Sequence, residues 1–129
     1  MSNPNVLIID DQPANLKVLG KLLEQQNATY LGITSSVGIN GVIEQMPRLD
    51  AVFVDLELPG EPSYDQLLAT LKSNPRLKQV PIIAYSVHVS EIDRTRNWGF
   101  DGFLGKPLNA SDFPEYWQRI LNRESVWVY

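Results

Sequence analysis

Apolar residues along this chain follow two rhythms. Short continuous runs, Val6, Leu7, Ile8 and Ile9, then Ala51, Val52, Phe53 and Val54, then Ile82, Ile83, Ala84 and Tyr85, predict strands buried on both faces. Residues 30–33 form a weaker run, and Phe103 with Leu104 a short one. Between the runs the period turns helical. Leu16, Leu19, Leu22 and Leu23 follow Pro13, which suits a first helical turn, and Asn27 suits the helix end. Ser35 or Ser36 is expected to cap a second helix carrying Ile39, Val42, Ile43 and Met46, weakened by Gly38 and Gly41 and stopped by Pro47. Leu67, Leu68 and Leu71 mark a third helix ending before Pro75. Ser90 and Asp93 read as a capping box for a fourth helix, closed by Gly99. Asn109 is placed to cap a fifth helix with Phe113, Trp117, Ile120 and Leu121. Pro59, Gly60, Glu61 and Pro62 read as a loop. Five strands alternating with five helices predict a parallel sheet covered on both faces, in one domain.

Composition narrows the function. At 129 residues and 43% hydrophobic, the chain can bury a core without staples. It has no cysteine, which excludes disulfides and thiolate metal sites, and its single histidine, His88, excludes multi-histidine cages. No apolar run approaches the roughly 20 residues that span a bilayer, and residues 1–5 lack the features of a signal peptide. A soluble cytoplasmic protein without membrane insertion is expected. Net charge is −4 with no basic run, which argues against nucleic-acid binding.

The charged residues then take on meaning. Asp10 and Asp11 follow the first strand, Asp55 the third, Ser86 the fourth and Lys106 the fifth. Open α/β sheets bind ligands beyond the carboxyl ends of their strands. Three carboxylates there make a cation pocket, and one lysine adds a fixed positive charge. This combination suits phosphoryl chemistry on an aspartate.

Four segments carry a resemblance: Leu7 through Asp11, Asp55 through Gly60, Pro81 through Ser86, and Phe103 through Pro107. In this order and spacing, over roughly residues 5 to 122, the chain resembles the CheY-like receiver domain of two-component response regulators. The resemblance implies a flavodoxin-like, doubly wound, five-stranded sheet of order 2-1-3-4-5 with five helices. Residues 1–122 would form the receiver and 123–129 a C-terminal apolar tail. It implies Asp55 as the phosphoacceptor, attacking a phosphohistidine on a sensor histidine kinase or a histidine phosphotransfer protein. Asp10, Asp11, Asp55 and the backbone carbonyl of Glu57 would hold Mg²⁺. Lys106 would pair with phosphoryl oxygens, and Ser86 would donate to them. Phe103 matches the aromatic that switches as that hydroxyl moves, and Lys106-Pro107 is a candidate cis bond. Output would pass through a downstream protein target or a homodimer. The protein would not turn over a free metabolite, although self-dephosphorylation is allowed.

The chain also departs from the family. The loop from Gly60 to Asp65 carries Pro62 in place of the usual short turn, and Val87 replaces the usual alanine after the switch hydroxyl. Val87 is expected to narrow access to Asp55, and Glu57 to affect attack by water on the phosphoryl group. His88 reads as a loop residue. The tail through Val126, Trp127, Val128 and Tyr129 can lie on its own domain, add a strand or dock a partner. Two rival functions remain: a degenerate receiver that binds partners without phosphorylation, and a phosphatase of the aspartate-nucleophile type. The second requires an Asp-x-Asp motif at the first strand, where this chain has adjacent aspartates.

Overall fold

The computed structural model describes residues 3–58 and 63–128. The loop expected at Pro59, Gly60, Glu61 and Pro62 lies outside the described residues, as does Tyr129. Strands and helices alternate: β1 (Asn5–Ile9), α1 (Pro13–Glu24), β2 (Thr29–Ile33), α2 (Ile39–Gln45), β3 (Ala51–Asp55), α3 (Tyr64–Ser73), β4 (Ile82–Ser86), α4 (Ile92–Trp98), β5 (Gly102–Gly105), α5 (Phe113–Leu121) and β6 (Val126–Val128). The sheet order is 2-1-3-4-5-6, and every neighbouring pair is parallel. This is the flavodoxin-like, doubly wound fold, extended by one strand beyond the five expected.

The continuous apolar runs work as expected for strands buried twice. Alternate side chains point to opposite faces. Leu7, Ile9, Val52, Val54, Ile82, Ala84 and Phe103 face α2, α3 and α4. Val6, Ile8, Ala51, Phe53, Ile83, Tyr85 and Leu104 face α1 and α5. On the second face Trp117 stacks against Phe53 and Phe113, with ring centroids 6.4 Å away in each case. β1 lies between β2 and β3, so the connections leaving β1 and β3 run to opposite sides of the sheet. That switch point opens a crevice at the carboxyl ends of β1 and β3.

Helix ends follow local chemistry only in part. Asn27 adopts a left-handed conformation (φ 62°) beyond α1, and Gly99 (φ 104°) closes α4. Ser63, not singled out from sequence, caps α3 by accepting the Gln66 N–H at 3.1 Å. Neither Ser35 nor Ser36 caps α2, which starts at left-handed Gly38; the Ser35 hydroxyl accepts the Val37 N–H instead. Ser90 sits inside a single 3₁₀ turn, Val89–Glu91, and α4 has no side-chain cap. Asn109 receives N–H groups from Ser111 and Asp112, one turn ahead of α5, so it organises the approach to the helix. In these three places the chain satisfies its amide groups within a preceding turn, which removes the need for a cap at the helix itself.

The sixth strand comes from the tail. Val126, Trp127 and Val128 pair with Gly102, Phe103 and Leu104. Gly102 permits this approach, because a Cβ there would lie 2.7 Å from the Val126 carbonyl oxygen. The Arg119 guanidinium donates to the Ser125 carbonyl at 2.8 Å, and the Arg96 guanidinium lies 4.6 Å from the Trp127 ring. The alternation in the tail thus sends Val126 to the core beside α5 and Trp127 towards the α3–α4 side.

Candidate functional site

The strand ends at the crevice deliver its polar groups. β1 presents Asp10 and Asp11, β3 ends in Asp55, β4 in Ser86, and Lys106 follows β5. Ligand oxygens of Asp10, Asp11 and Asp55 all lie within 4.8 Å of one another. Asp10 and Asp55 are buried, while Asp11 is half-buried. Lys106 Nζ lies 3.0 Å from Asp55 Oδ1, 3.7 Å from Asp10 Oδ2 and 3.7 Å from Glu57 Oε2. The Lys106-Pro107 bond is cis.

Backbone groups fix the carboxylates. Gln12 N–H donates to Asp10 Oδ1 at 2.9 Å, and Glu57 N–H donates to Asp55 Oδ1 at 3.2 Å. Burial pushes the Asp55 carboxyl up to about 6; the Lys106 ammonium opposes this and the Asp10 carboxylate adds to it. Carboxylates outnumber ammonium groups here, since Lys106 faces Asp10, Asp55 and Glu57 with Asp11 alongside. Hard oxygen donors in excess of positive charge, held around a partly open crevice, fit a small divalent cation such as Mg²⁺.

The other expected residues are placed as follows. Ser86 is buried, and its hydroxyl accepts the His88 N–H at 2.9 Å. Its carbonyl accepts the Lys106 N–H at 2.8 Å, which ties the ends of β4 and β5 together. Phe103 is fully buried between Ala84 of β4 and Trp127 of β6 in the sheet register. The Glu57 carboxylate stands outside the aspartate cluster, between Lys106 and His88 Nε2, the latter 3.1 Å away. Val87 is exposed.

Two participants escaped the sequence reading. His88 pairs with Glu57 across the mouth of the site. Tyr85, read only as a strand residue, donates its hydroxyl to Asp10 Oδ2 at 2.6 Å. A signal existed for the second, because a buried tyrosine needs a partner for its hydroxyl. No comparable signal marked His88.

A family model described as response regulator receiver domain matches residues 6–118. The chain belongs to this family. As a receiver it is a module of two-component signalling, a system in which receivers work with histidine kinases or phosphotransfer proteins. It is 31% identical over 113 residues to stress response regulator protein 1 of Meyerozyma guilliermondii, a match covering 84% of this chain and 51% of that protein. The receiver thus spans about half the length of that relative. It is 30% identical over 124 residues to the two-component response regulator ORR13 of Oryza sativa subsp. japonica, covering 95% and 98% respectively. Among solved structures, the receiver domain of sensor histidine kinase PA1611 from Pseudomonas aeruginosa superposes with a TM-score of 0.80 at 21% identity, covering 94% of this chain and 99% of that one. That structure carries a magnesium ion coordinated in its active-site cleft. No helix among the described residues is long and apolar enough to cross a membrane.

Proposed function

We propose that this receiver accepts a phosphoryl group on Asp55 from a histidine kinase or a histidine phosphotransfer protein, and signals through protein contacts that depend on it. One observation carries the reading: Asp55 lies within reach of both the Asp10–Asp11 pair and the Lys106 ammonium, 3.0 Å away. An Asp55 oxygen attacks the phosphorus of phosphohistidine. The P–N bond breaks, its electron pair returns to the imidazole, and an acyl phosphate forms on Asp55. Asp10, Asp11, Asp55 and the Glu57 carbonyl would hold Mg²⁺. The ion would offset repulsion between the carboxylate and the incoming phosphoryl oxygens.

Lys106 holds Asp55 before transfer and follows the added charge afterwards, as a point charge on a flexible stem. Ser86 then turns its hydroxyl to the phosphoryl group, and Phe103 follows it in the packed core. The readout reaches a downstream target, or a second copy of the chain, through α4, β5 and α5.

The test is incubation with Mg²⁺ and acetyl phosphate, followed by intact mass measurement. One phosphoryl group per chain, absent in Asp55→Ala, is expected. No modification by any donor, cognate phosphohistidine included, would make the chain a constitutive binding module. Sustained phosphate release from varied phosphomonoesters would make it a phosphatase.

A further inference from the structure

Glu57 sits between two anchored amides. Its own N–H donates to Asp55 Oδ1 at 3.2 Å, so its backbone runs alongside that carboxylate. The next N–H, that of Leu58, donates to the Tyr64 hydroxyl at 2.7 Å. The Leu58 N–H and the Glu57 carbonyl belong to one peptide group. Among the described residues only Lys106-Pro107 is cis, so this peptide is trans. In a planar trans peptide the N–H and the C=O point opposite ways. A fixed Leu58 N–H therefore fixes the direction of the Glu57 carbonyl, to which no backbone N–H donates among the described residues.

The Tyr64 hydroxyl is itself placed by two helices. Tyr64 opens α3, whose first turn Ser63 caps, and its ring packs on Trp98 at the end of α4, with centroids 5.8 Å apart. Leu58 is buried in the core on the same face of the sheet, so its side chain holds the peptide as well. A hydroxyl that accepts from an amide also polarises that peptide and adds negative charge to its carbonyl oxygen. Mg²⁺ is a hard cation that takes oxygen ligands in a near-ideal octahedron, so both the aim and the charge of such an oxygen matter to it. We propose that Tyr64 is a positioning residue for the acidic site: by holding the Leu58 N–H, it aims and polarises the Glu57 carbonyl as an oxygen ligand for Mg²⁺. The inference rests on the divalent-cation reading of that site.

The experiment is calorimetric titration of the unphosphorylated full chain with Mg²⁺, in wild type and Tyr64→Phe, paired with amide exchange of the metal-free proteins by NMR. Tyr64→Phe should raise the Mg²⁺ dissociation constant about fivefold, the worth of one hydrogen bond expressed in binding. It should also speed exchange at the Leu58 amide. A merely structural role speeds that exchange and lowers the unfolding midpoint but leaves Mg²⁺ affinity where it was, and this result overturns the proposal. Unchanged exchange at Leu58 overturns it too, because the hydroxyl then holds no amide. Tyr116→Phe, on α5, should alter neither quantity. If Tyr64→Phe does not fold, Tyr64→Met removes the same hydroxyl with a flexible apolar chain and must give the same shift. A wild-type protein that binds no Mg²⁺ removes the cation reading itself, whereas one that binds Mg²⁺ no more tightly than Tyr64→Phe removes only the role of Tyr64.

Discussion

Asp55 is the residue on which the proposed chemistry turns, and its environment pulls in two directions. Burial favours the protonated acid, while Lys106 favours the carboxylate that would act as nucleophile. Its folded value of about 6 lies above the usual 3.8. A group raised in this way stabilises the fold below its unfolded value, and that contribution is lost as pH rises through about 6. In metal-free buffer, wild type should therefore lose stability relative to Asp55→Asn between pH 4 and pH 7.5. The loss should be up to about 3 kcal/mol, read by urea unfolding at each pH. A difference independent of pH would show that Asp55 ionises normally in the folded chain. Asp55, Asp10 and Lys106 were legible in the sequence because each follows an apolar run. The Glu57–His88 pair was not, since neither side chain indicates locally which way it turns.

Elements show where local rules yield to contacts between distant segments. α2 is short and glycine-bearing, with no side-chain cap at its start. Its far end is held by Arg76, whose guanidinium donates to the carbonyls of Ile43, Glu44 and Met46. The last carbonyls of a helix have no amide a turn ahead to accept from, and Arg76 supplies donors there. The strand β6 depends in the same way on a remote glycine. A methyl group at position 102 would meet the Val126 carbonyl at 2.7 Å and the Ile83 Cδ1 at 2.9 Å; the second contact is the far end of a flexible side chain and can give way. Gly102→Ala should therefore cost about 1–3 kcal/mol in the full chain, as overpacking does. It should cost clearly less once residues 125–129 are deleted. Denaturant unfolding of the two single variants and the double variant measures this coupling. Equal costs in both backgrounds would mean that β6 does not press on Gly102.

At the scale of the molecule, the sheet is the frame and its carboxyl edge gathers the acidic cluster and Lys106. The sheet register runs from Ala84 in β4 through Phe103 in β5 to Trp127 in β6, a path that ends at Arg96 on α4. A phosphoryl mimic at Asp55 should alter that path if Ser86 and Phe103 act as the switch. Hydrogen exchange with Mg²⁺ and beryllofluoride should change across Ile92–Trp98 and Val126–Val128. The same change should be absent in Phe103→Leu, with ligand still bound at Asp55. Exchange altered equally in both proteins would remove Phe103 from the route.

The sequence by itself determined the alternation of strands and helices, the two-faced core and the charged strand ends. Each of these is written in nearest neighbours, as continuous apolar runs, helical spacing or a charge where a run stops. Tertiary structure decided the rest. Tyr85 reaches Asp10 across 75 residues of chain, His88 finds Glu57, and a tail open to three readings becomes a sixth strand on β5. These are pairings between segments far apart in the chain. Whether a polar tip or an alternating tail finds its partner depends on which surface packing brings alongside, and local pattern carries no record of that surface.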